Sequence, residues 1–304
     1  MSFAGRIVAA FGRHLVVRDA AGVEHRARPF GRRLSVVCGD EVRCELDARH
    51  DEAHVVEVRP RVSCLYRSNR RGEPEPVVAN LTLLLVTLAP APEPDPFMVD
   101  RYLAGAACAG IRAAVVLNKA DLGAGPAEEL AWYARIGYTC VECSAQAGTG
   151  LPALQGLCRT ELAAFVGQSG VGKSSLVHAL VPQAQVRTGT LLRDEAGRHT
   201  TTASRLYELP GGGALVDSPG VRDFAPAPEH LEPTSLGFLE VAALAPGCRF
   251  DDCRHLREPG CAVRAAVEAG AVSPRRHESY RRLRRLREQL LEAGPGRKSG
   301  PKRR

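Results

Sequence analysis

The chain has 304 residues, 44% of them hydrophobic and 25% charged, a balance that excludes a disordered or collagen-like protein and suits about two domains. Its longest apolar run, residues 81–89, is too short to cross a bilayer, and Arg6, Arg13 and His14 break the N-terminal segment where a signal core would be apolar, so no membrane partner is expected and the ten cysteines are expected as reduced thiols in a cytoplasmic protein. The formal charge of +7 suggests an anionic partner, yet only four basic residues are lysines (Lys119, Lys173, Lys298 and Lys302), so each lysine inside the chain needs a reason.

In chain order, residues 1 to 62 alternate short apolar stretches with turn signals such as Ala20-Ala21-Gly22 and Cys38-Gly39-Asp40. Strands are expected near 6–10, 15–18, 23–28, 41–46 and 55–58. Five strands in so short a segment predict a small closed β-barrel of OB type, with an SH3-type barrel as the alternative. Pro60 and the polar stretch 67–76 read as a linker, which gives a first unit over 1–70. From there the pattern changes to apolar strands followed by helices, the signature of a parallel α/β sheet, over a second unit at 71–226. Its strand runs lie at 81–88, 113–117, 140–143, 163–166 and 214–216, and its helices at 100–109, 127–136 and 173–180. A third unit, 227–304, carries a cysteine cluster, an amphipathic helix opening at Ser273-Pro274 with Leu283, Leu286 and Leu290 on one face, and a polar basic tail from Gly294. The fold class is therefore multidomain: an N-terminal OB-like β-barrel, a central α/β unit and a mostly α C-terminal module.

Phe165-Val166-Gly167-Gln168-Ser169-Gly170-Val171-Gly172-Lys173-Ser174-Ser175 fits G-x-x-x-x-G-K-[ST]. It stands after an apolar strand and before a helix, the context that separates a phosphate loop from a chance glycine-rich turn. Its glycines let successive backbone N–H groups curl around a phosphate, and the helix N-terminus adds partial positive charge. Lys173 can reach the β- and γ-phosphates, and the Ser174 hydroxyl is a natural Mg²⁺ ligand.

Asn118-Lys119-Ala120-Asp121 follows a second apolar strand and matches N-K-x-D. The Asp121 carboxylate can accept from guanine N1–H and the 2-amino group; adenine lacks both donors and would leave the carboxylate unpaired. That favours GTP and GDP and disfavours an ATP-dependent small-molecule kinase. Lys119 is expected over the base, Asn118 as a tie to the phosphate loop, and Ser144-Ala145 as the source of a backbone N–H for guanine O6.

Asp217-Ser218-Pro219-Gly220 reads as strand-then-D-x-x-G, with Asp217 holding Mg²⁺ through water and Gly220 sensing the γ-phosphate. The run Gly197-Arg198-His199-Thr200-Thr201-Thr202 lies where a switch segment belongs. Val221 follows Gly220, where Ras-like enzymes carry a water-orienting Gln, so His199 is the nearest candidate for orienting the water, with an exposed loop histidine as the alternative. N-K-x-D and S-A precede the phosphate loop, so the α/β unit reads as a circularly permuted P-loop GTPase. Finally, Cys248, Cys253, His255 and Cys261 offer three thiolates and an imidazole, a donor set for tetrahedral Zn²⁺. Buried free thiols or a redox pair are the rival readings. Four protein ligands would close the site, making one zinc ion structural.

The permuted order, GQSGVGKSS, GRHTTT and C-x₄-C-x-H-x₅-C together resemble the RsgA/YjeQ family of circularly permuted GTPases of small ribosomal subunit biogenesis, over nearly the whole chain. The resemblance implies OB, permuted GTPase and zinc-binding domains. It implies GTP hydrolysis stimulated by the small subunit, and action in late maturation near the decoding region. It also implies a hydrolytic role for His199, Mg²⁺ ligation by Thr201, and a zinc ion on the Cys248, Cys253, His255, Cys261 set. Three positions depart from the family pattern: Ser218 stands where Thr is usual, Ala203 where His often follows the threonines, and Thr82 where an acidic residue is common. Slow intrinsic turnover and a monomer are expected. A non-hydrolysing, GTP-dependent RNA-binding clamp is the second reading.

The charge divides unevenly along the chain. Residues 1–70 carry 13 basic and 9 acidic side chains, residues 71–273 carry 16 and 22, and residues 274–304 carry 12 and 3. Contacts to rRNA phosphates are therefore expected at the barrel and at the last helix and tail, not at the acidic middle.

Overall fold

A computed structural model describes residues 2–31, 34–47, 52–68, 74–123, 125–181, 203–222 and 231–293. The chain opens with five strands, β1 (Ser2–Phe11), β2 (His14–Asp19), β3 (Glu24–Pro29), β4 (Glu41–Asp47) and β5 (Glu52–Val58). Their alternation sends Ile7, Leu15, Val17, Ala27, Val42, Cys44, Ala53 and Val55 into one shared core. β1 pairs antiparallel with both β2 and β4, which closes the barrel, and β3 runs parallel to β5. That order, with its one parallel pair, is the OB arrangement, so the structure decides between the two barrels the sequence left open.

The stretch expected to be a linker is partly strand. β6 (Cys64–Ser68) and β7 (Pro74–Ala79) pair as an antiparallel hairpin. Leu65, Val77 and Val78 of this hairpin are buried in the same cluster as Val8 of the barrel and Leu84 and Val86 beyond it. Charged residues and prolines at the hairpin's outer end hid this from the sequence, because only its inner end is apolar.

The α/β unit follows as β8 (Leu83–Leu88), α1 (Pro96–Cys108), β9 (Arg112–Leu117), α2 (Ala127–Arg135), β10 (Thr139–Glu142), α3 (Leu151–Cys158), β11 (Leu162–Val166), α4 (Lys173–Leu180), β12 (Ala203–Glu208) and β13 (Ala214–Asp217). β10, β9, β8, β11 and β13 are parallel in that order, and β12 joins antiparallel. All six residues of β8 and all five of β11 are buried. Strands covered on both faces read as continuous apolar runs, which is why these were visible in the sequence. One face packs against α1 and α2 through Leu84, Val86, Leu103 and Tyr133; the other against α3 and α4 through Leu83, Leu85, Leu154 and Leu176. α1 starts sharply because the Asp95 carboxylate accepts from the Phe97 and Met98 N–H groups and Pro96 occupies the first turn.

The two sheets are one. The C-terminal end of β1 also pairs with β12, Ala9 opposite Arg205 and Phe11 opposite Ala203, so the barrel strands and the parallel sheet form a continuous eleven-stranded array. After the short α5 (Pro219–Arg222), the C-terminal module holds α6 (Leu239–Leu244), a 3₁₀ turn (Ala245–Gly247), α7 (Ala262–Glu268) and α8 (Pro274–Ala293). Leu231, Phe238, Val241, Val263, Tyr280 and Leu283 form its core against Ala104 of α1. Among the described residues no helix is long and apolar enough to cross a membrane.

Candidate functional site

The phosphate-loop sequence lies where β11 leaves the sheet and α4 begins. Gly167 has φ 143°, and a Cβ there would run into the Thr87 carbonyl oxygen; Gly172 has φ 93°, and a Cβ there would strike the Asn118 amide. The loop can therefore nest against β8 and the β9 end only with glycine at both points. Lys173 Nζ donates to the Gly167 and Gln168 carbonyls, 2.7 Å each, which holds the ammonium across the mouth of the loop. Ser169, Gly170, Ser174 and Ser175 are exposed, and Val171 is buried beneath them.

Asn118 and Lys119 reach this loop from the end of β9. Asn118 is 1% exposed. Its Nδ2 donates to the Val171 carbonyl (2.9 Å), and its Oδ1 accepts from the Ala145 N–H (3.1 Å). Lys119, in the left-handed region at φ 59°, donates through Nζ to Gly170 O (2.7 Å) and Ala91 O (2.8 Å). Asp121 stands in a 3₁₀ turn (Ala120–Leu122) with its side chain exposed. Ser144 is fully buried and its Oγ accepts from the Ala147 N–H (3.0 Å), fixing the turn that carries Ala145. Three segments far apart in sequence thus converge on one mouth.

A fourth segment was missed by the sequence reading. The loop before α1 lies beside the phosphate loop: the Asp95 N–H donates to Gln168 Oε1 (3.1 Å), and Ala91 supplies the carbonyl that Lys119 holds. The run Pro94-Asp95-Pro96, a helix-start signal, was the available clue.

Asp217 ends β13, whose parallel register with β11 sets Val216 beside Ala164, so the carboxylate arrives next to the root of the phosphate loop. Ser218 is buried and accepts a hydrogen bond from Ser204 of β12 (2.7 Å), so the D-x-x-G strand end is tied to the start of β12. Gly220 is buried against Val77 of β7. His199 and Thr201, with Thr200 and Thr202, lie outside the described residues.

The second site is in the C-terminal module. Cys248, Cys253, His255 and Cys261 bring three Sγ atoms and one imidazole nitrogen within 4.8 Å of one another. His255 Nδ1 is 3.5 Å from both Cys248 Sγ and Cys261 Sγ, and those two sulfurs are 4.0 Å apart. Ligands at about 2.3 Å (S) and about 2.0 Å (N) around a tetrahedral ion would stand at roughly these separations. All ten cysteines are free thiols, so no disulfide competes for the cluster. This Cys₃His set can hold a metal ion such as zinc. Cys261 also caps α7, its Sγ accepting from the Arg264 N–H (3.5 Å). Glu258 shapes the knuckle between His255 and Cys261. Burial pushes its carboxyl up, but bonds from the backbone N–H groups of Arg257, Leu256 and Arg254 outweigh this and pull it down to about 2. Nothing in the sequence pattern marked Glu258, because its partners are all main chain.

A family model described as RsgA GTPase matches residues 58–226. The chain is 41% identical over 289 residues to the small ribosomal subunit biogenesis GTPase RsgA of Azotobacter vinelandii, covering 92% of this chain and 84% of that one. It is 44% identical over 291 residues to the protein of the same name from Chromohalobacter salexigens, with the same coverage. Among solved structures, YjeQ from Thermotoga maritima superposes with a TM-score of 0.73 at 25% identity, covering 96% of this chain and 99% of that one. YloQ, a circularly permuted GTPase, gives 0.70 at 23% identity over 98% of each chain, a likeness of fold.

Proposed function

Since the chain belongs to the RsgA GTPase family, we propose that it binds the small ribosomal subunit, acts in its late assembly, and hydrolyses GTP to GDP and phosphate at a rate the subunit raises. The observation that carries this reading is the convergence of Asn118 and Lys119 on the carbonyls of Val171 and Gly170, which sets a guanine-reading loop against a phosphate loop.

The roles follow from the chemistry of each group. Asp121 accepts from guanine N1–H and the 2-amino group, Lys119 lies along the base, and the Ser144-Ala145 turn presents a backbone N–H toward O6. To engage nucleotide, Lys173 exchanges its loop carbonyls for the β- and γ-phosphate oxygens. Backbone N–H groups from Gly167 through Ser175 take the remaining phosphate contacts, and Gly220 closes on the γ-phosphate. Ser174, Thr201 and Asp217 are suited to hold a Mg²⁺ ion, which when bound neutralises charge developing between the β- and γ-phosphates. His199 orients the water that attacks the γ-phosphorus as the bond to the β-phosphate oxygen breaks, releasing GDP and inorganic phosphate. Cys248, Cys253, His255 and Cys261 are suited to one closed, structural zinc site. We further place the barrel within 1–70, the permuted GTPase within 71–226 and the metal module within 227–304, in a cytoplasmic monomer whose basic ends touch rRNA.

The deciding measurement is the GTP hydrolysis rate with and without purified small subunits. A low basal rate multiplied by small but not large subunits is expected; equal rates with both would overturn the proposal. A chain that binds GTP on small subunits yet never hydrolyses it would instead be a clamp. His199→Ala, in single turnover on subunits, should remove the stimulated step while leaving GTP binding intact.

A further inference from the structure

Between the GTPase sheet and the metal module lies a buried charged cluster that belongs to neither site. Arg276, near the start of α8, is 2% exposed. Its Nη1 donates to Asp100 Oδ1 of α1 (2.6 Å), and its Nε and Nη2 donate to the two carboxylate oxygens of Glu240 on α6 (2.7 and 2.8 Å). Asp100, 1% exposed, also accepts from Arg275 Nη1 (2.7 Å) and from the Tyr133 hydroxyl of α2 (2.7 Å). The Arg276 guanidinium lies 4.6 Å over the Phe238 ring and 5.5 Å from that of Tyr133. Two cations and two anions thus balance, all but the part-exposed Arg275 with their side chains buried, and, with the Tyr133 hydroxyl, they join four helices. Gly237 seals the contact beside it, since a Cβ there would meet the Ala104 carbonyl of α1.

The two GTPase helices gripped here are those that rise from the nucleotide loops. α1 follows the loop in which the Asp95 N–H holds Gln168 and the Ala91 carbonyl holds Lys119. α2 follows the turn that carries Asp121. We propose that Arg276 is a positioning residue for guanine-nucleotide binding: it is the centre of a latch that fixes α1 and α2, and through them the loops that hold Gln168, Lys119 and Asp121. A movement of the metal module would then change how tightly nucleotide is held, without any module residue touching it. This rests on the guanine-nucleotide reading of the site.

The test is GDP release from the full-length, metal-loaded chain, followed with a fluorescent GDP chased by excess GDP. Tyr133→Phe removes one hydroxyl from the latch and should speed release about three- to tenfold, the equivalent of one lost hydrogen bond. Asp100→Asn should do more, and Arg276→Lys, which keeps the charge but loses the two-pronged grip on Glu240, should fall between wild type and Arg276→Met. The single-turnover hydrolysis constant at saturating GTP should stay within about twofold of wild type, splitting holding from chemistry. Val263→Ala, which loosens the module's own apolar core, is the matched control and should leave release unchanged.

Release within about twofold of wild type in Tyr133→Phe and Asp100→Asn would overturn the latch. Equal acceleration by Val263→Ala would overturn it too, since general loosening would then suffice. Should Arg276→Met fail to fold, the Tyr133→Phe result decides alone. A wild-type chain that holds GDP no better than ADP overturns the guanine reading and this proposal with it; normal GDP binding with insensitive release overturns the proposal alone.

Discussion

On the proposed guanine reading, base specificity rests on one exposed carboxylate, Asp121, carried on a pinned loop. The pins are Asn118 and Lys119, which give their side chains to the phosphate loop and leave the Asp121 side chain exposed. Replacing it tests the base assignment directly: Asp121→Asn should weaken GTP binding at least about a hundredfold, because an amide cannot accept from both guanine donors, and should gain affinity for xanthosine triphosphate, whose 2-oxo group accepts from the new NH₂. Competition binding with the two nucleotides reads both effects. Gly172→Ala should act differently. The backbone strain of a left-handed alanine costs about 1 kcal/mol, and the methyl group meets the Asn118 amide, so all nucleotide binding should fall regardless of base. Thr82, which departs from the family pattern, serves the sheet locally. Its hydroxyl accepts from the Leu162 N–H (2.9 Å) while its own N–H donates to Leu162 O (2.9 Å), extending the β8–β11 ladder by one residue.

At the scale of elements, what was legible in the sequence was what burial makes periodic. β8 and β11 are covered on both faces and stood out as unbroken apolar runs, and the phosphate loop between β11 and α4 followed from its glycines. β6, β7 and β12 were not legible, since each mixes apolar with charged positions, and β12 also pairs with a strand, β1, far back along the chain. α3 escaped because Leu151-Pro152-Ala153-Leu154-Gln155-Gly156 is short and glycine-broken, and is held in place only by laying Leu154 and Cys158 on the sheet. The metal module divides the same way: its ligands announced themselves by type and spacing, whereas Glu258 and the latch depend on tertiary contacts. If the Cys₃His cluster holds a structural metal as proposed, Cys253→Ser or a strong chelator should strip it and unfold residues 231–293, seen as loss of helical signal and new proteolytic cleavage there. Acidification should release the metal as well, because thiolate and imidazole ligands must stay deprotonated to bind it.

For the whole molecule, the fold redistributes the charge that the sequence placed at its ends. Of the arginines in α8, Arg275 and Arg276 turn inward to Asp100 and Glu240, and Arg284 turns to the Tyr280 hydroxyl and the Pro233 carbonyl. Arg282 and Arg285 remain on the exposed face. If that face meets rRNA, Arg282→Gln with Arg285→Gln should lower the slope of log affinity against log salt by about 2, whereas changes at Arg276 should act on nucleotide release. The shared strand β1 has a further consequence, in the order of synthesis. The barrel is complete within the first 58 residues and can close as it emerges, but the outer edge of the GTPase sheet is finished only after β12 (Ala203–Glu208) and its partner β13 (Ala214–Asp217) have arrived. Until then the C-terminal end of β1, Ala9 to Phe11, is an open template, and the edge strand of the GTPase sheet is received by a domain that was folded long before it.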